Sequence, residues 1–207
     1  MCWPVRGSSS GLLSSFVIST LAGLCPSLFT SHRMPEESII DLQSDHYFMG
    51  EALRQAARAF EAEEVPIGAV VAREGRIIAR AYNQVELLKD ATAHAEMLAL
   101  TQAEGFVGDW RLTDCTLYVT KEPCPMCAGA IVHVRLARVV FGVGDPKAGA
   151  AGGVMNLLQW PSFNHRAEIT RGVRENECRA LLQSFFAEQR AKGKKLFDAD
   201  AGGITNN

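Results

Sequence analysis

Phe48, Leu53, Ala56 and Phe60 recur at helical spacing between polar residues, which predicts an amphipathic helix from about Asp45 to Glu61. The period then changes. In "VPIGAVVAREGRIIARAYN" two β-rich runs, Ile67–Ala72 and Arg76–Ala81, flank the turn-like "REG" and predict a hairpin. A polar loop over 84–91 leads into a helix from about Ala93 to Ala103. "TLYVT" (Thr116–Thr120) alternates β-formers and predicts a short strand. Pro125, followed by Ala, Ile and Val, predicts a helix starting at about Cys124. "ARVVFGV" (Ala137–Val143) is a further apolar strand, "DPKAGAAGG" a glycine-rich loop, and "NECRALLQSFFAEQRAKGKK" a terminal helix that runs out in lysines. Strands alternating with helices, without an internal repeat, define an α/β layered domain around a buried sheet.

Composition narrows this picture. The 207 residues, 47% of them hydrophobic, suffice for one good core and not for two large domains. A net charge of −2 gives no global positive field, so a nucleic-acid partner would need a local basic patch. Arg166 to Lys195 supplies one, with eight Lys/Arg against four Asp/Glu. The same run also reads as an ordinary solvated helix end. Six cysteines are too few for a disulfide framework in a chain of this length, and a reducing compartment fits them best.

Residues 1–33 contain no acidic residue and are rich in Ser and Leu. They fit an imperfect secretory signal, an arginine-poor transit peptide, or an upstream start ahead of a true initiation at Met34; the last reading is preferred. Their apolar part is short and interrupted by serines, so no membrane span is expected. The fold is expected over 41–195, after a disordered or non-native extension (1–40) and before a tail (196–207).

The candidate chemistry lies in two short runs. In "TAHAEMLAL" His94 and Glu96 stand two apart. Inside a helix such residues point to nearly opposite sides, and they share a site only at an open first turn. That places the helix start near Thr92, a candidate N-cap just after Asp90. Taken alone, the pair is an ordinary surface His and Glu, the carboxylate complementing the helix dipole. In "PCPMC", Cys124 and Cys127 lie close together on a first turn whose dipole favours thiolates. A lone C-x-x-C also fits a redox pair or half of a structural zinc site. Pro123 and the lack of a thioredoxin-like unit weigh against the first, and the lack of a second C-x-x-C pair against the second. With His94 as third ligand, the set has two thiolates, one imidazole and one open position, the pattern of a catalytic zinc that carries water. Glu96 then serves as proton shuttle to a leaving amine and not as a ligand. H-x-E followed about thirty residues later by P-C-x-x-C is a signature of zinc-dependent nucleobase deaminases.

From Asp45 to Arg190 the sequence resembles the bacterial tRNA-specific adenosine deaminases. The resemblance is carried by "EVPIGAVV", "ATAHAEMLAL", "RLTDCTLYVTKEPCPMCAGAIVHVR", "RVVFGVGDPKAGAAGG", "NHRAEIT" and "ECRALLQSFFAEQR". It implies a cytidine-deaminase-like three-layer αβα sandwich with a mixed central sheet. It also implies one Zn2+ per subunit, a homodimer and a tRNA anticodon arm as partner, in the cytoplasm. By motif position the zinc ligands fall on His94, Cys124 and Cys127, and the proton shuttle on Glu96. A base-contacting asparagine falls on Asn83, and an acidic residue near the RNA sugar on Asp145. The implied reaction is hydrolytic deamination of the wobble adenosine, position 34, to inosine.

The sequence departs from the family pattern in its leader, at Ala91 (usually proline), and at Lys121 (more often leucine). A cation at 121 reads equally as a phosphate contact or as a solvent-facing residue. Two rival functions stay open: a free-base or nucleoside deaminase on the same scaffold, and a zinc-stabilised RNA-binding module without catalysis.

Overall fold

The computed structural model describes residues 41, 42 and 44–201, with side chains as far as 193. The expectations for residues 1–33 lie outside them. The chain opens with helix α1 (Asp45–Glu61), capped by Ser44, whose side chain accepts from the Tyr47 N–H. Strands β1 (Gly68–Arg73) and β2 (Arg76–Tyr82) form the expected hairpin. Both turn residues, Glu74 and Gly75, adopt positive φ, the geometry that matches strand twist in two-residue hairpins. The short helix α2 (Val85–Leu88) interrupts the expected polar loop. Then follow α3 (Ala95–Val107), β3 (Cys115–Lys121), α4 (Pro125–His133), β4 (Arg138–Val143), β5 (Glu168–Arg171) and α5 (Glu175–Ala201).

The sheet order is β2-β1-β3-β4-β5. β1 pairs antiparallel with β2 and β3, while β3–β4 and β4–β5 are parallel, so the sheet is mixed as expected. Strand alternation sends side chains to two cores. Ala69, Val71, Leu117, Val119, Val139 and Phe141 pack with Ala99 and Leu100 of α3 and Ile131 of α4. Val70, Tyr118 and Val140 pack on the other face with Phe48 and Met49 of α1 and Cys178 of α5. The result is the three-layer αβα sandwich.

Local packing explains two details. A Cβ at Gly68 would overlap the backbone of α1 at Ala52 and Ala56, so glycine is what lets this helix lie against β1. Arg138 grips Asp45 with two hydrogen bonds of 2.9 and 2.8 Å, and the Tyr118 hydroxyl donates to the same carboxylate at 3.0 Å. These bonds tie the first turn of α1 to the sheet.

Neither α2 nor β5 follows from the sequence pattern. β5 reads "EITR" with no fully buried residue, because it is an edge strand and only half covered. α2 is one turn, and Lys89 closes it in the left-handed region. Among the described residues no helix is long and apolar enough to cross a membrane.

Candidate active site and metal centre

The helix that carries "TAHAEMLAL" is capped by His94, not by Thr92 as its sequence suggests. The Thr92 N–H and hydroxyl both donate to the Asp90 carboxylate, at 2.8 and 2.7 Å, in a tight turn that leaves this hydroxyl no capping role. His94 is extended (φ −69°, ψ 151°), and its carbonyl accepts the first helical bond from Leu98 at 3.1 Å. This resolves the spacing problem. His94 stands outside the helix and Glu96 inside its first turn, so the i, i+2 separation no longer forces the two side chains apart.

The second helix repeats the device. β3 leads through Glu122 and Pro123 to Cys124, which is the extended N-cap of α4 (φ −74°, ψ 172°). Pro125 opens the helix, where its missing N–H is not needed. Cys127 follows on the first turn and is fully buried. Two helix N-termini therefore carry the three side chains, each with its positive dipole end nearby.

Sγ of Cys124 and Cys127 are 3.6 Å apart, and they lie 3.7 and 3.5 Å from Nδ1 of His94. All three ligand atoms fall within 4.8 Å of one another. A tetrahedral zinc with ordinary Zn–S and Zn–N bonds sets S···S at about 3.8 Å and S···N at about 3.6 Å. The donor set therefore fits such an ion in both chemistry and spacing. The Cys127 thiol hydrogen-bonds to Cys124 and, with His94, draws the latter down to about 3, a thiolate at neutral pH. Cys127 is pushed up by its contact with Cys124 and by burial. Both sulfurs would bind a cation as thiolates, so metal binding would release the proton they share. The Cys124 thiolate in turn raises His94.

Glu96 is buried, at 4% exposure. Burial raises its carboxyl above the usual range, against the opposing pull of its own backbone N–H, of His94 and of the Cys127 thiol.

Asn83 and Asp145 occupy separate surroundings. Asn83 is buried just after β2, and its Nδ2 donates to Glu64 Oε2 at 3.1 Å. The next residue, Gln84, donates its N–H to the Ala93 carbonyl at 3.0 Å, so the Asn83 turn is tied to the chain beside His94. Asp145 accepts the Lys147 and Ala148 N–H groups on Oδ1, at 2.9 and 3.2 Å, and pairs through Oδ2 with Lys121 at 2.7 Å. Its carboxylate thus serves loop geometry, and the question over Lys121 has a third answer: its ammonium pairs with Asp145. The loop itself is anchored at the centre, since Ala150 donates to the Pro123 carbonyl at 2.9 Å.

Two carboxylates in this region are absent from the sequence-derived site. Glu64 is 1% exposed and accepts from Asn83 and from the Leu87 N–H. Glu122 is 4% exposed and accepts the N–H groups of Asp145, Ala151 and Gly153 at 2.8–2.9 Å. A Cβ at Gly149 or Gly153 would strike it.

The fold and the three-ligand centre together define a metal-site deaminase of the cytidine-deaminase-like class. The chain belongs to the MafB19-like deaminase family, which matches residues 43–190. It is 52% identical over 153 residues to the tRNA-specific adenosine deaminase of Bacillus subtilis, covering 74% of this chain and 95% of that protein. A solved structure from biochemical and structural studies of A-to-I editing by tRNA:A34 deaminases at the wobble position of transfer RNA is 41% identical. The match has a TM-score of 0.63 and covers 65% of this chain and 98% of that one. A guanine deaminase from Nitrosomonas europaea, 24% identical with a TM-score of 0.62 over 70% of this chain and 85% of its own, shares the fold.

Proposed function

We propose that this chain hydrolytically deaminates the wobble adenosine, position 34, of a tRNA anticodon arm to inosine, releasing ammonia. The observation that carries the reading is the convergence of His94, Cys124 and Cys127 with a buried Glu96 on the first turn beside them. The curated tRNA-specific relatives supply the substrate. His94, Cys124 and Cys127 hold one zinc per subunit. When bound, this ion supplies a Lewis acid that acidifies water towards neutral pH.

Glu96 takes a proton from the attacking water and passes it to the ring nitrogen beside carbon 6, then helps the amino group leave as ammonia. Its burial keeps bulk water from competing for that proton. Asn83 orients the base, which an anticodon loop splays from its stack at little cost. Asp145 stands near the RNA sugar, held by Lys121. An anionic strand is favoured by Arg179 and Arg190, which line a cavity of about 300 Å³ against α5 in a chain of negative net charge. The enzyme acts in the cytoplasm, where tRNA is found, and as a homodimer. The exposed Trp110 and Phe163, which line a second cavity of about 300 Å³ beside α4, support a protein-covered face.

The test is an assay of zinc-loaded protein on an anticodon stem-loop carrying adenosine 34, with inosine and metal content measured together. Inosine at that position, with no turnover of free guanine or cytosine, is expected. Robust free-base turnover with none on the RNA would overturn the reading in favour of the free-base deaminase.

A further inference from the structure

We propose that Glu64 is a positioning residue for this reaction, fixing the Asn83 amide in the one orientation that complements an adenine edge; the proposal rests on the adenosine reading above. Glu64 lies outside the metal centre and is almost completely buried. No ion pair reaches it among the described residues. A carboxylate removed from water without a cation is unfavourable for the fold, so its retention asks for a reason beyond stability.

Its two oxygens have divided partners. Oε1 accepts the Leu87 N–H at 2.7 Å, and Oε2 accepts Nδ2 of Asn83 at 3.1 Å. A carboxylate only accepts. Turning the Asn83 amide by half a revolution would set Oδ1 against Oε2, oxygen against oxygen, so only one orientation survives. The backbone is held as firmly, because the Asn83 N–H donates to the Ile67 carbonyl at 2.9 Å. One amide hydrogen is thereby spent on Glu64. Asn83 retains a carbonyl acceptor and a single N–H donor, in a fixed order.

That order carries specificity. The N6/N7 edge of adenine places an amino donor beside a ring acceptor, the complement of an asparagine amide, whereas guanine shows two acceptors on the same edge. An amide free to turn would still face one mismatch with guanine, but it would also spend part of its time reversed against adenine. Glu64 removes the reversed state.

Glu64→Gln tests this. Glutamine keeps one acceptor, which Leu87 can retain, and presents an NH2 group to Asn83, favouring the turned amide. The expected result is a fall of about tenfold in kcat/KM on the adenosine-34 stem-loop, with metal content and circular dichroism unchanged. In an Asn83→Ala background the same substitution should change kcat/KM by less than about twofold, because the two residues act as one unit. An equal loss in both backgrounds, or no loss in either, would overturn the proposal. Side-chain amide NMR of Asn83 gives a readout independent of substrate. One slowly exchanging, downfield-shifted proton is expected in the parent protein and absent in Glu64→Gln, and an identical signal in both would also overturn it. If that signal responds while the parent makes no inosine on RNA, the amide lock stands and the adenosine reading falls instead.

Discussion

Two buried carboxylates flank the His94, Cys124 and Cys127 cluster, Glu96 two residues after His94 and Glu122 two residues before Cys124, each 4% exposed. They are equal in depth and opposite in use. Glu122 has three backbone N–H groups aimed at it and organises the Asp145–Gly153 loop. Glu96 has its own N–H, His94 and the Cys127 thiol drawing its carboxyl down, and burial outweighs them and raises its affinity for a proton. A buried carboxylate filled with fixed donors is a structural hub. One left largely unfilled beside a metal centre is available to move protons.

The sharpest way to break the contrast is Glu96→Ala. Deamination should fall by at least about a hundredfold, the scale of a positioned acid–base group, while zinc content is retained. The melting temperature should stay level or rise, because a poorly donated buried carboxylate is removed. A normal rate would end the proton-shuttle mechanism.

Glu122→Gln should behave in the reverse sense. One acceptor oxygen becomes a donor, and at least one of three backbone N–H groups loses its partner. The expected loss is about 2 kcal/mol of stability, read from the urea midpoint, with any activity change following from a loosened loop. Unchanged stability would mean that these bonds do not hold the loop.

Much of this was legible in the sequence because helical and strand periods are strong local signals. α1 matches its expected bounds, and both hairpin strands lie within a residue of theirs. The spacing of His94, Cys124 and Cys127 pointed to a shared centre because first-turn geometry is tightly constrained. The cap at His94 was misplaced, since Thr92 has the right chemistry but spends its hydroxyl on Asp90. Glu64 and Glu122 were illegible for a different reason. Their partners are backbone N–H groups and an amide 19 to 31 residues away, and neither leaves a local pattern. The same holds for Lys121, whose partner is defined only once β3 and the loop after β4 are side by side.

The smallest expected effect is at that pair. Lys121→Leu removes the 2.7 Å contact to Asp145 Oδ2, where Lys121 is about one-third exposed and Asp145 largely covered. Leucine there would meet Val143, Leu182 and Phe186 around the same cavity, which offsets part of the loss. The net cost should be below about 1 kcal/mol at neutral pH. Burial would raise the Asp145 carboxyl, but Lys121 and the Lys147 and Ala148 N–H groups outweigh it and hold it below the usual range. A depressed folded value means that the pair's contribution is complete above about pH 4 and is lost as the pH falls through that lower value. The stability difference between parent and variant should therefore shrink on acidification, and high salt should shrink it at neutral pH. Because this ammonium is already engaged by Asp145, the salt dependence of RNA binding should hardly change. A drop in that slope of about one would instead assign Lys121 to a phosphate.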